Sequence, residues 1–437
     1  MLKNQAAEVI HRPSRIEKSS PPARNRGKSP SPFRMRFKFH YSQCRKECYS
    51  VIHKHAYRYR FYPNSTQAAV LARTFGCVRF VYNWALRLRT DAYYERQQRI
   101  GYHATSSALT TLKQQLETAW LNEVSCVPLQ QALRHLEKAF HHFFAGRAKY
   151  PHFHTKHGMQ SAEYTTSAFR WNAIVQTLML AKMSTPLHIH WSRPFPKGTT
   201  PTTVTISRDV AGRYFVSFLL EDEVTPLPVT AGQVGLDLGL HDVVVLDSGE
   251  KVGNPRYFQQ EEQKLARAQR CLARKVRGSK NRDKARRKVA RIHVRIADRR
   301  QDFLHKLSTR LIRENQTICV ESLRVKVMAK HPTLAKAIHD VGWGTFVRLL
   351  EYKAAWYGRT LVKIDQWYPS SRRCHTCGHV LDSLALDIRQ WTCPKCATFH
   401  DRDVNAARNI LAVGLTASAS GETVRPTRAS ACVGATQ

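Results

Sequence analysis

Four cysteines form two pairs with the spacing of a structural zinc site. Two residues separate Cys374 from Cys377, and two separate Cys393 from Cys396. Each pair can wrap one side of a tetrahedral ion, and four thiolates leave no coordination position open. The spacing therefore predicts one structural Zn²⁺ ion in a ribbon-like segment, held in a reduced compartment.

The residues around these cysteines refine that prediction. Gly378 follows the first pair, as the tight turn of a zinc knuckle prefers, whereas Ala397 stands at the equivalent place after the second pair. His375 and His379 lie close by but exceed the four ligands that the site needs. We therefore predict that neither histidine binds the zinc ion.

Three acidic residues stand where a lone carboxylate would be costly to bury. Asp237 interrupts the apolar run VGLDLG, Glu321 ends the run TICVE, and Asp403 lies at the entry to a predicted helix. Together they could bind two divalent ions about 4 Å apart, the arrangement used for phosphodiester cleavage. Mg²⁺ ions between like-charged carboxylates would offset their repulsion.

Each of these signals has a plainer alternative. Asp403 taken alone is equally well explained as the N-cap of its helix. Gly235 and Gly239 flank Asp237, and their small size would let a phosphate backbone approach, although one G-x-D-x-G pattern is weak evidence.

The charge of the chain indicates a polyanionic partner. Its 437 residues carry 70 Lys and Arg against 32 Asp and Glu, a formal net charge of +38. A hydrophobic content of 42% is typical of a globular protein, so a wholly disordered basic chain is excluded. Nucleic acid is the expected partner and a membrane surface the rival, but no apolar run is long enough to span a bilayer.

The first half reads as strands that enclose a helical insert. YRYRFYP alternates like a strand, and Asn64 then begins a long helix. Two further helices are expected around 105–121 and 128–145, followed by short strands over 165–222.

The second half contains a strongly basic helical hairpin over 259–315. It holds 19 Lys and Arg against 6 Asp and Glu, and Gly278-Ser279 marks its turn. A solvated face normally mixes charges of both signs, so this surplus favours nucleic-acid contact. A last short helix is expected from Asn405 to Val413.

The order of these motifs resembles the TnpB family, RNA-guided nucleases encoded by insertion sequences. GLDLG, the basic hairpin with GSKNR, ICVESL, WYPSSRRCHTCG, WTCPKC and HDRDVNAARNIL follow one another as in that family. The resemblance runs from about Tyr57 to Leu411, with YRYRFYPNSTQ and FGCVRFVYNWAL at its start.

The resemblance implies an α+β multidomain fold built around a RuvC-like, RNase H-type nuclease. A β-rich wedge domain with a helical recognition insert would precede the nuclease domain, which carries the basic hairpin and the zinc ribbon. The expected divisions are a disordered basic extension (1–52), the wedge-like domain (53–230) with its insert (about 64–160), the nuclease (231–413) with its hairpin (259–315) and zinc ribbon (366–400), and a disordered tail (414–437).

The resemblance also implies an activity. Asp237, Glu321 and Asp403 would match the catalytic triad and hold two Mg²⁺ ions, Asp403 being preferred to Asp401 because the family pattern is D-x-N. The protein would bind a guide RNA, read a short motif beside its target and cut guide-matched double-stranded DNA. Ser322 stands where the family often has Asp.

Further residues are candidates for nucleic-acid contact or for catalytic support. The candidates for DNA contact near the recognised motif are Arg79, Asn83 and Arg87. The candidates for contact with the RNA or heteroduplex backbone are Arg274, Lys275, Arg286 and Arg287. Arg389 and Arg402 are possible catalytic support, or equally structural ion-pair residues.

Two other functions stay open at this stage. A nuclease-silent RNA-guided repressor would keep the binding surfaces without cleavage, and a direct DNA transposase would share the RNase H fold. A cytoplasmic, prokaryotic location with association to the nucleoid is expected. The sequence leaves the choice between monomer and dimer open.

Overall fold

The polypeptide forms two five-stranded sheets with helices packed against them. The computed structural model describes residues 51–420, apart from Lys197 and Leu386. The predicted extension 1–52, except for its last two residues, and positions 421–437 of the predicted tail lie outside the described residues.

The elements follow one another along the chain in two groups. The first group is β1 (Val51–Phe61), α1 (Ser65–Arg96), α2 (Tyr102–Gln114), α3 (Cys126–Phe144), β2 (Gln160–Thr165), β3 (Phe169–Asn172), β4 (Thr177–Leu180), β5 (Ile189–His190), β6 (Thr203–Arg208) and β7 (Tyr214–Val224). The second group is β8 (Gln233–Asp237), β9 (Asp242–Leu246), β10 (Lys251–Gly253), α4 (Tyr257–Ala273), α5 (Lys280–Glu314), β11 (Thr317–Glu321), α6 (Val325–Met328), α7 (Ala335–Val341), α8 (Trp343–Tyr357), β12 (Thr360–Ile364), β13 (Gln390–Thr392), β14 (Phe399–Asp401) and α9 (Arg402–Ser420).

The first sheet is antiparallel, with strand order β2-β6-β7-β1-β5. Its inner face buries alternate aromatic and aliphatic residues, including Tyr59, Phe61 and Phe218. The helices α1 to α3 lie between β1 and β2 in the sequence. They form a separate hydrophobic core around Val81, Leu129 and Leu133.

The start of α1 is confirmed by its capping box. The Gln67 N–H donates to the Asn64 side chain at 2.8 Å, and the Asn64 N–H donates to the Gln67 side chain at 3.2 Å. The helix predicted over 105–121 instead breaks after Gln114 into a short 3₁₀ turn (Leu116–Glu123), where the Thr118 hydroxyl donates to the Leu112 carbonyl.

The second sheet is mixed, with strand order β10-β9-β8-β11-β12. Strands β8, β11 and β12 are parallel, and β9 and β10 pair antiparallel. Leu236, Ile318 and Val320 face a core shared with α5, α7 and α8. The opposite face, which includes Cys319, is covered by α9.

The basic hairpin consists of α4 and α5, and Ser279 caps the second helix by accepting a hydrogen bond from the Arg282 N–H. Ile292 and Ile296 bury against Leu265 and Ala268 of α4. Farther along α5, Leu307 and Leu311 bury against the second sheet. Because α5 takes part in both contacts, it connects the hairpin to the second sheet.

The last helix extends beyond its predicted end. A disordered tail was expected from residue 414, but α9 continues to Ser420. Gly414 does not end the helix: a Cβ there would lie 2.3 Å from the Cys319 Sγ, so its role is to let α9 approach β11. In the part of the chain that the structure describes, no helix is long and apolar enough to cross a membrane.

Gly235 imposes the same close approach on β8, and its substitution tests that contact. A Cβ at Gly235 would lie 2.1 Å from the Ala407 carbonyl oxygen, so Gly235→Ala must push α9 away from the sheet. We expect a loss of unfolding free energy on the order of 2–3 kcal/mol, measured by chemical denaturation.

Gly76→Ala in α1 is the matched control. A Cβ there meets nothing within 4 Å, so the control should be neutral or stabilising by about 0.5–1 kcal/mol. Equal destabilisation by both variants would contradict the proposed contact.

Candidate active site and metal centre

Two of the three predicted carboxylates lie side by side at the carboxyl ends of β8 and β11. The parallel register pairs Cys319 with Gly235 and Val320 with Leu236, so Glu321 and Asp237 come next in line. Side chains alternate between the faces of a strand. Asp237 and Glu321 therefore share the face of Gly235 and Cys319, against which α9 packs.

The first turn of α9 brings Asp403 to the same place. The Asp401 side chain accepts the N–H groups of Asp403 and Val404, both at 3.1 Å, and also binds Lys251 at 2.7 Å. Asp401 is thus the residue that caps the helix, which removes the capping explanation for Asp403. Although burial opposes it, the Lys251 hydrogen bond, with the help of these N–H groups, lowers the pKa of Asp401.

The charges of the other two carboxylates act on Asp237. Burial, followed by the charges of Glu321 and Asp403, raises the pKa of Asp237 well above its usual value. Burial also raises the pKa of Glu321 to about 7, although the Leu238 N–H opposes this by donating a hydrogen bond to the carboxylate. Without a cation, the ionised forms of these neighbours are therefore unfavourable.

Two arginines partly offset this negative charge. The Arg389 guanidinium lies 3.4 Å from both carboxylate oxygens of Asp403. Arg402 donates instead to the Ala385 carbonyl at 2.7 Å, and so fixes the loop that carries Arg389. Burial and the charges of the other two acids raise the pKa of Asp237, and the charges of the two arginines lower it by a smaller amount.

The donor set fits hard divalent cations. Carboxylate oxygens are the ligands that Mg²⁺ prefers, and bound cations would reverse the unfavourable ionisation of Asp237 and Glu321. Within the described residues, the four cysteines are the one group of three or more ligands whose donor atoms all lie within 4.8 Å. The three carboxylates are therefore spread more widely than ligands of a single small ion.

A cleft of about 830 Å³ opens beside Glu321. Its rim carries the exposed side chains of Arg324, Lys326 and Arg348, and Trp343 lines it with an indole Nε1 that is buried and has no hydrogen-bond partner. Sequence reasoning missed these residues because they come from two separate segments, one around the short helix α6 and one in α8, that meet only in the folded protein. The basic rim beside a carboxylate is suited to a phosphodiester strand.

The four predicted cysteines converge, as expected. The sulfurs of Cys374 and Cys396 lie 3.6 Å apart, as do those of Cys377 and Cys393. Tetrahedral zinc with Zn–S bonds of about 2.3 Å requires sulfurs roughly 3.8 Å apart, so the cluster fits a Zn²⁺ ion.

Backbone turns shape the two halves of this cluster alike. The Gly378 N–H donates to the Cys374 carbonyl, and the Ala397 N–H donates to the Cys393 carbonyl, both at 2.9 Å. Both turn residues have left-handed backbones, with φ of 76° for Gly378 and 57° for Ala397. The alanine therefore holds a conformation that suits glycine.

The histidine beside the cluster is not one that the sequence singled out. The His400 Nε2 lies 3.1 Å from the Cys374 sulfur, and His400 is almost completely buried. Such a contact orients a metal-bound sulfur from outside its ligand shell. His375, by contrast, has its N–H bonded to the Asn405 side chain.

Two buried asparagines tie the zinc segment to the helix that carries Asp403. Asn405 and Asn409 are one turn apart on α9, and both side chains donate to the carbonyls of Ser370 and Arg373. Sequence reasoning assigned them no contact, because amides with these partners are recognised only once the fold is known.

The glycines beside Asp237 have a different role from the one expected. The backbone of α9 occupies the space beside Gly235. A Cβ at Gly239 would lie 2.8 Å from the Asp242 carbonyl oxygen. The interpretation that both admit a phosphate backbone was wrong, because protein atoms occupy that space.

The candidate contact residues of α1 differ in their surroundings. Arg87 is exposed and pairs with Asp91, while Arg79 binds the Gln160 side chain at 3.0 Å. The Asn83 amide exchanges two hydrogen bonds with the backbone of His154, at 2.7 and 3.0 Å. Asn83 therefore fixes a loop of the protein.

The candidates on the hairpin lie in two places. Arg274 and Lys275 are exposed at its tip, next to the turn. Arg286 and Arg287 lie about two turns into α5 and line a cavity that also contains Arg79.

The left-handed alanine gives a test of the zinc segment. Ala397→Gly should stabilise the zinc-loaded protein by about 1 kcal/mol, because it removes backbone strain without touching a ligand. Ala412→Gly on the exposed face of α9 should destabilise it by a similar amount. Thermal unfolding with Zn²⁺ present measures the stability change of both variants. A change of the same sign in both would contradict backbone strain at Ala397.

The raised pKa of Glu321 predicts a pH-dependent cost in the metal-free protein. Its folded pKa of about 7 exceeds the ordinary 4.5, so the folded state holds the proton more tightly and stability falls as pH rises through that window. Glu321→Gln should therefore stabilise metal-free protein at pH 8, on the order of 1 kcal/mol, and have little effect at pH 4.5. Denaturation in EDTA at both pH values checks this, and a pH-independent effect would contradict it.

Comparison with known proteins places the chain among mobile-element proteins. A family model described as "Probable transposase" (OrfB_IS605) matches residues 216–331, one described as "Cas12f1-like, TNB domain" matches 343–410, and one described as "Helix-turn-helix domain" matches 53–98. The structure named "Cryo-EM structure of the Cas12f1-sgRNA-target DNA complex" is 13% identical, with a TM-score of 0.49 over 79% of this chain and 83% of that one.

Two curated relatives are similar over nearly their whole length. A Streptomyces pristinaespiralis protein named "Putative RNA-guided DNA endonuclease" is 57% identical over 87% of this chain and 94% of its own. An Escherichia coli K12 protein named "Putative RNA-guided DNA endonuclease InsQ" is 33% identical over 85% of this chain and 95% of its own. The resemblance drawn from the motifs is confirmed, and the chain belongs to the TnpB family.

Proposed function

We propose that this protein is a Mg²⁺-dependent, RNA-guided DNA endonuclease of a mobile element. It reads a short motif beside its target and hydrolyses both strands of guide-matched duplex DNA. The observation that carries the proposal is the meeting of three carboxylates from separate elements at the buried Asp237, whose pKa is raised by burial and next by the charges of Glu321 and Asp403. The names of the two relatives support the same activity.

The proposed nuclease domain is RuvC-like and built on the second sheet. The proposed division of the chain into a wedge-like domain (53–230) and a nuclease domain (231–413) is supported by the separate hydrophobic cores of the two sheets. The parallel strands β8 and β11 would supply Asp237 and Glu321 from one sheet edge, and α9 would supply Asp403.

Asp237, Glu321 and Asp403 would hold the two Mg²⁺ ions. Mg²⁺ bound there would supply positive charge at the scissile phosphate and would lower the pKa of a water molecule so that it ionises to the attacking hydroxide. The carboxylates set the position of that charge, and Arg389 is near enough to Asp403 to fix its orientation. The basic cleft beside Glu321 would hold the neighbouring part of the strand.

The division of labour between protein and guide explains the charge of the chain. Base pairing supplies sequence specificity, so the protein must hold phosphate backbones rather than read many bases. A net charge of +38 is suited to a bound RNA and its heteroduplex with DNA. The zinc segment would act structurally, because its four thiolates leave no open position.

The direct test begins with the RNA that accompanies the protein. The protein is purified from cells carrying its native gene end, its RNA is sequenced, and the guide end is matched to a plasmid library with Mg²⁺ present. A discrete RNA and guided cleavage are expected. Guided binding without cleavage would favour a repressor, and the absence of a specific RNA would overturn the guided function in favour of direct DNA processing.

Asp401 and Asp403 provide a matched pair for the carboxylate assignment. Asp403→Asn should reduce cleavage by at least 100-fold, on the order of 3 kcal/mol of barrier, because a metal ligand becomes neutral. Asp401→Asn should retain most activity, since asparagine caps helices as well as aspartate does. Cleavage rates at saturating Mg²⁺ measure both, and the reverse order would reassign the third ligand.

A further inference from the structure

Lys251 connects the edge strand β10 to the aspartate that caps α9. Its ammonium group donates to the Oδ2 atom of Asp401 at 2.7 Å. The other oxygen of the same carboxylate, Oδ1, accepts the N–H groups of Asp403 and Val404, each at 3.1 Å. The backbone of α9 therefore holds one oxygen of Asp401 in place, and Lys251 holds the other.

The two acids at the start of α9 differ in how fully their oxygens are used. Lys251 and the two N–H groups occupy both oxygens of Asp401. The Arg389 guanidinium lies 3.4 Å from each oxygen of Asp403, farther than the roughly 2.7–2.9 Å of a strong charge-assisted bond. Asp403 therefore keeps its oxygens available to a hard cation, whereas a cation at Asp401 would have to displace Lys251.

The helix cap alone does not produce this difference. A capping carboxylate needs only one oxygen for the backbone N–H groups. Without Lys251, the Oδ2 atom of Asp401 would be a second anionic oxygen in the same turn as Asp403, on a side chain that is 30% exposed. Both aspartates would then offer divalent cations the kind of ligand that they prefer.

Lys251 lies close enough to Asp403 to be influenced by it, yet it pairs with Asp401. The hydrogen bond to Asp401 raises the pKa of Lys251, burial opposes the rise, and the charges of Asp403 and Asp242 add to it. Within the described residues, its ion pair is with Asp401 alone. Because Lys251 is held opposite Val245 of β9, the position of β10 determines which aspartate receives the ammonium group.

We propose that Lys251 is a positioning residue that gives the two aspartates different roles. It holds Asp401 at the helix cap and leaves Asp403 as the acid available to a divalent cation. The inference rests on the proposed function, because it concerns the site at which Mg²⁺ would act. Lys251 itself touches neither the cation nor the reacting phosphate in this role, and acts through Asp401.

The test measures how Lys251 changes the relative importance of the two aspartates. Asp401→Asn and Asp403→Asn are each made with Lys251 present and in a Lys251→Met background. Mn²⁺ is the probe, and its binding to protein free of RNA and DNA is followed by electron paramagnetic resonance at neutral pH. The quantity compared is the ratio of the two dissociation constants, Asp403→Asn over Asp401→Asn, and thermal unfolding checks that each variant is folded.

Arg310→Met provides the matched control background. Arg310 binds Glu250, the neighbour of Lys251 in the chain, at 2.7 Å. Its side chain is 39% exposed, against 40% for Lys251. The control therefore removes an equal charge and a similar ion pair beside the same strand without touching Asp401.

With Lys251 present, Asp403→Asn should weaken Mn²⁺ binding at least about tenfold more than Asp401→Asn does, since changes around metal ligands commonly cost that much. In Lys251→Met the ratio should fall to within about twofold of unity, because the released Asp401 oxygen is a ligand of the same kind. Lys251→Ala should give the same fall. Lys251→Arg should restore the ratio, since a guanidinium also binds a carboxylate oxygen, and Arg310→Met should preserve it.

Every other outcome overturns a stated part. An unchanged ratio in Lys251→Met would overturn the positioning role, because a loss of charge or stability alone shifts both asparagine variants by the same factor. An equal fall in Arg310→Met would overturn it too, since loosening of the strand would then suffice. Guided cleavage of DNA by wild type, measured in parallel, separates the two proposals: the expected ratios without cleavage would overturn the nuclease and leave the role of Lys251.

Discussion

The direct contact between α9 and the second sheet is the constraint on which the rest of the site depends. At Gly235 the strand lies directly against the backbone of α9, and at Gly414 the helix lies directly against the Cys319 side chain, because a Cβ at either glycine would meet protein atoms at less than 2.5 Å. This proximity brings the first turn of α9 to the ends of β8 and β11. The three carboxylates are therefore brought together by the close packing of α9 at these two glycines, and not by attraction between the carboxylates.

Their mutual repulsion has to be balanced by the surroundings. Burial and neighbouring charge raise the pKa of Asp237, and Arg389 and Arg402 oppose this from the loop before β13 and the start of α9. The zinc segment carries that loop, and Asn405 and Asn409 fasten the segment to α9. A structural ion would thus stabilise the scaffold that holds like charges together at the proposed catalytic centre.

Short-range patterns in the sequence predicted local features correctly, but contacts between distant segments could not be predicted from it. The cysteine spacing and the Asn64 cap follow from neighbours along the chain. The last helix was expected to end at Val413, and the contact of Gly414 with Cys319 was missed because it depends on how two distant elements pack. The family pattern D-x-N favoured Asp403 over Asp401 as the site residue, but the residues alone left either one as the cap of the helix. Only the packed helix shows that Asp401 caps it.

The dispersal of the carboxylates along the chain sets an order of assembly during synthesis. Asp237 and the basic hairpin leave the ribosome early, Glu321 follows on β11, and Asp403 comes last, on a helix that must dock across finished strands. The surfaces suited to polyanions therefore exist before the carboxylate centre is complete. In the proposed guided nuclease, a nascent chain would present these basic surfaces to RNA before it has its third acid, so that RNA loading would precede the capacity to cut.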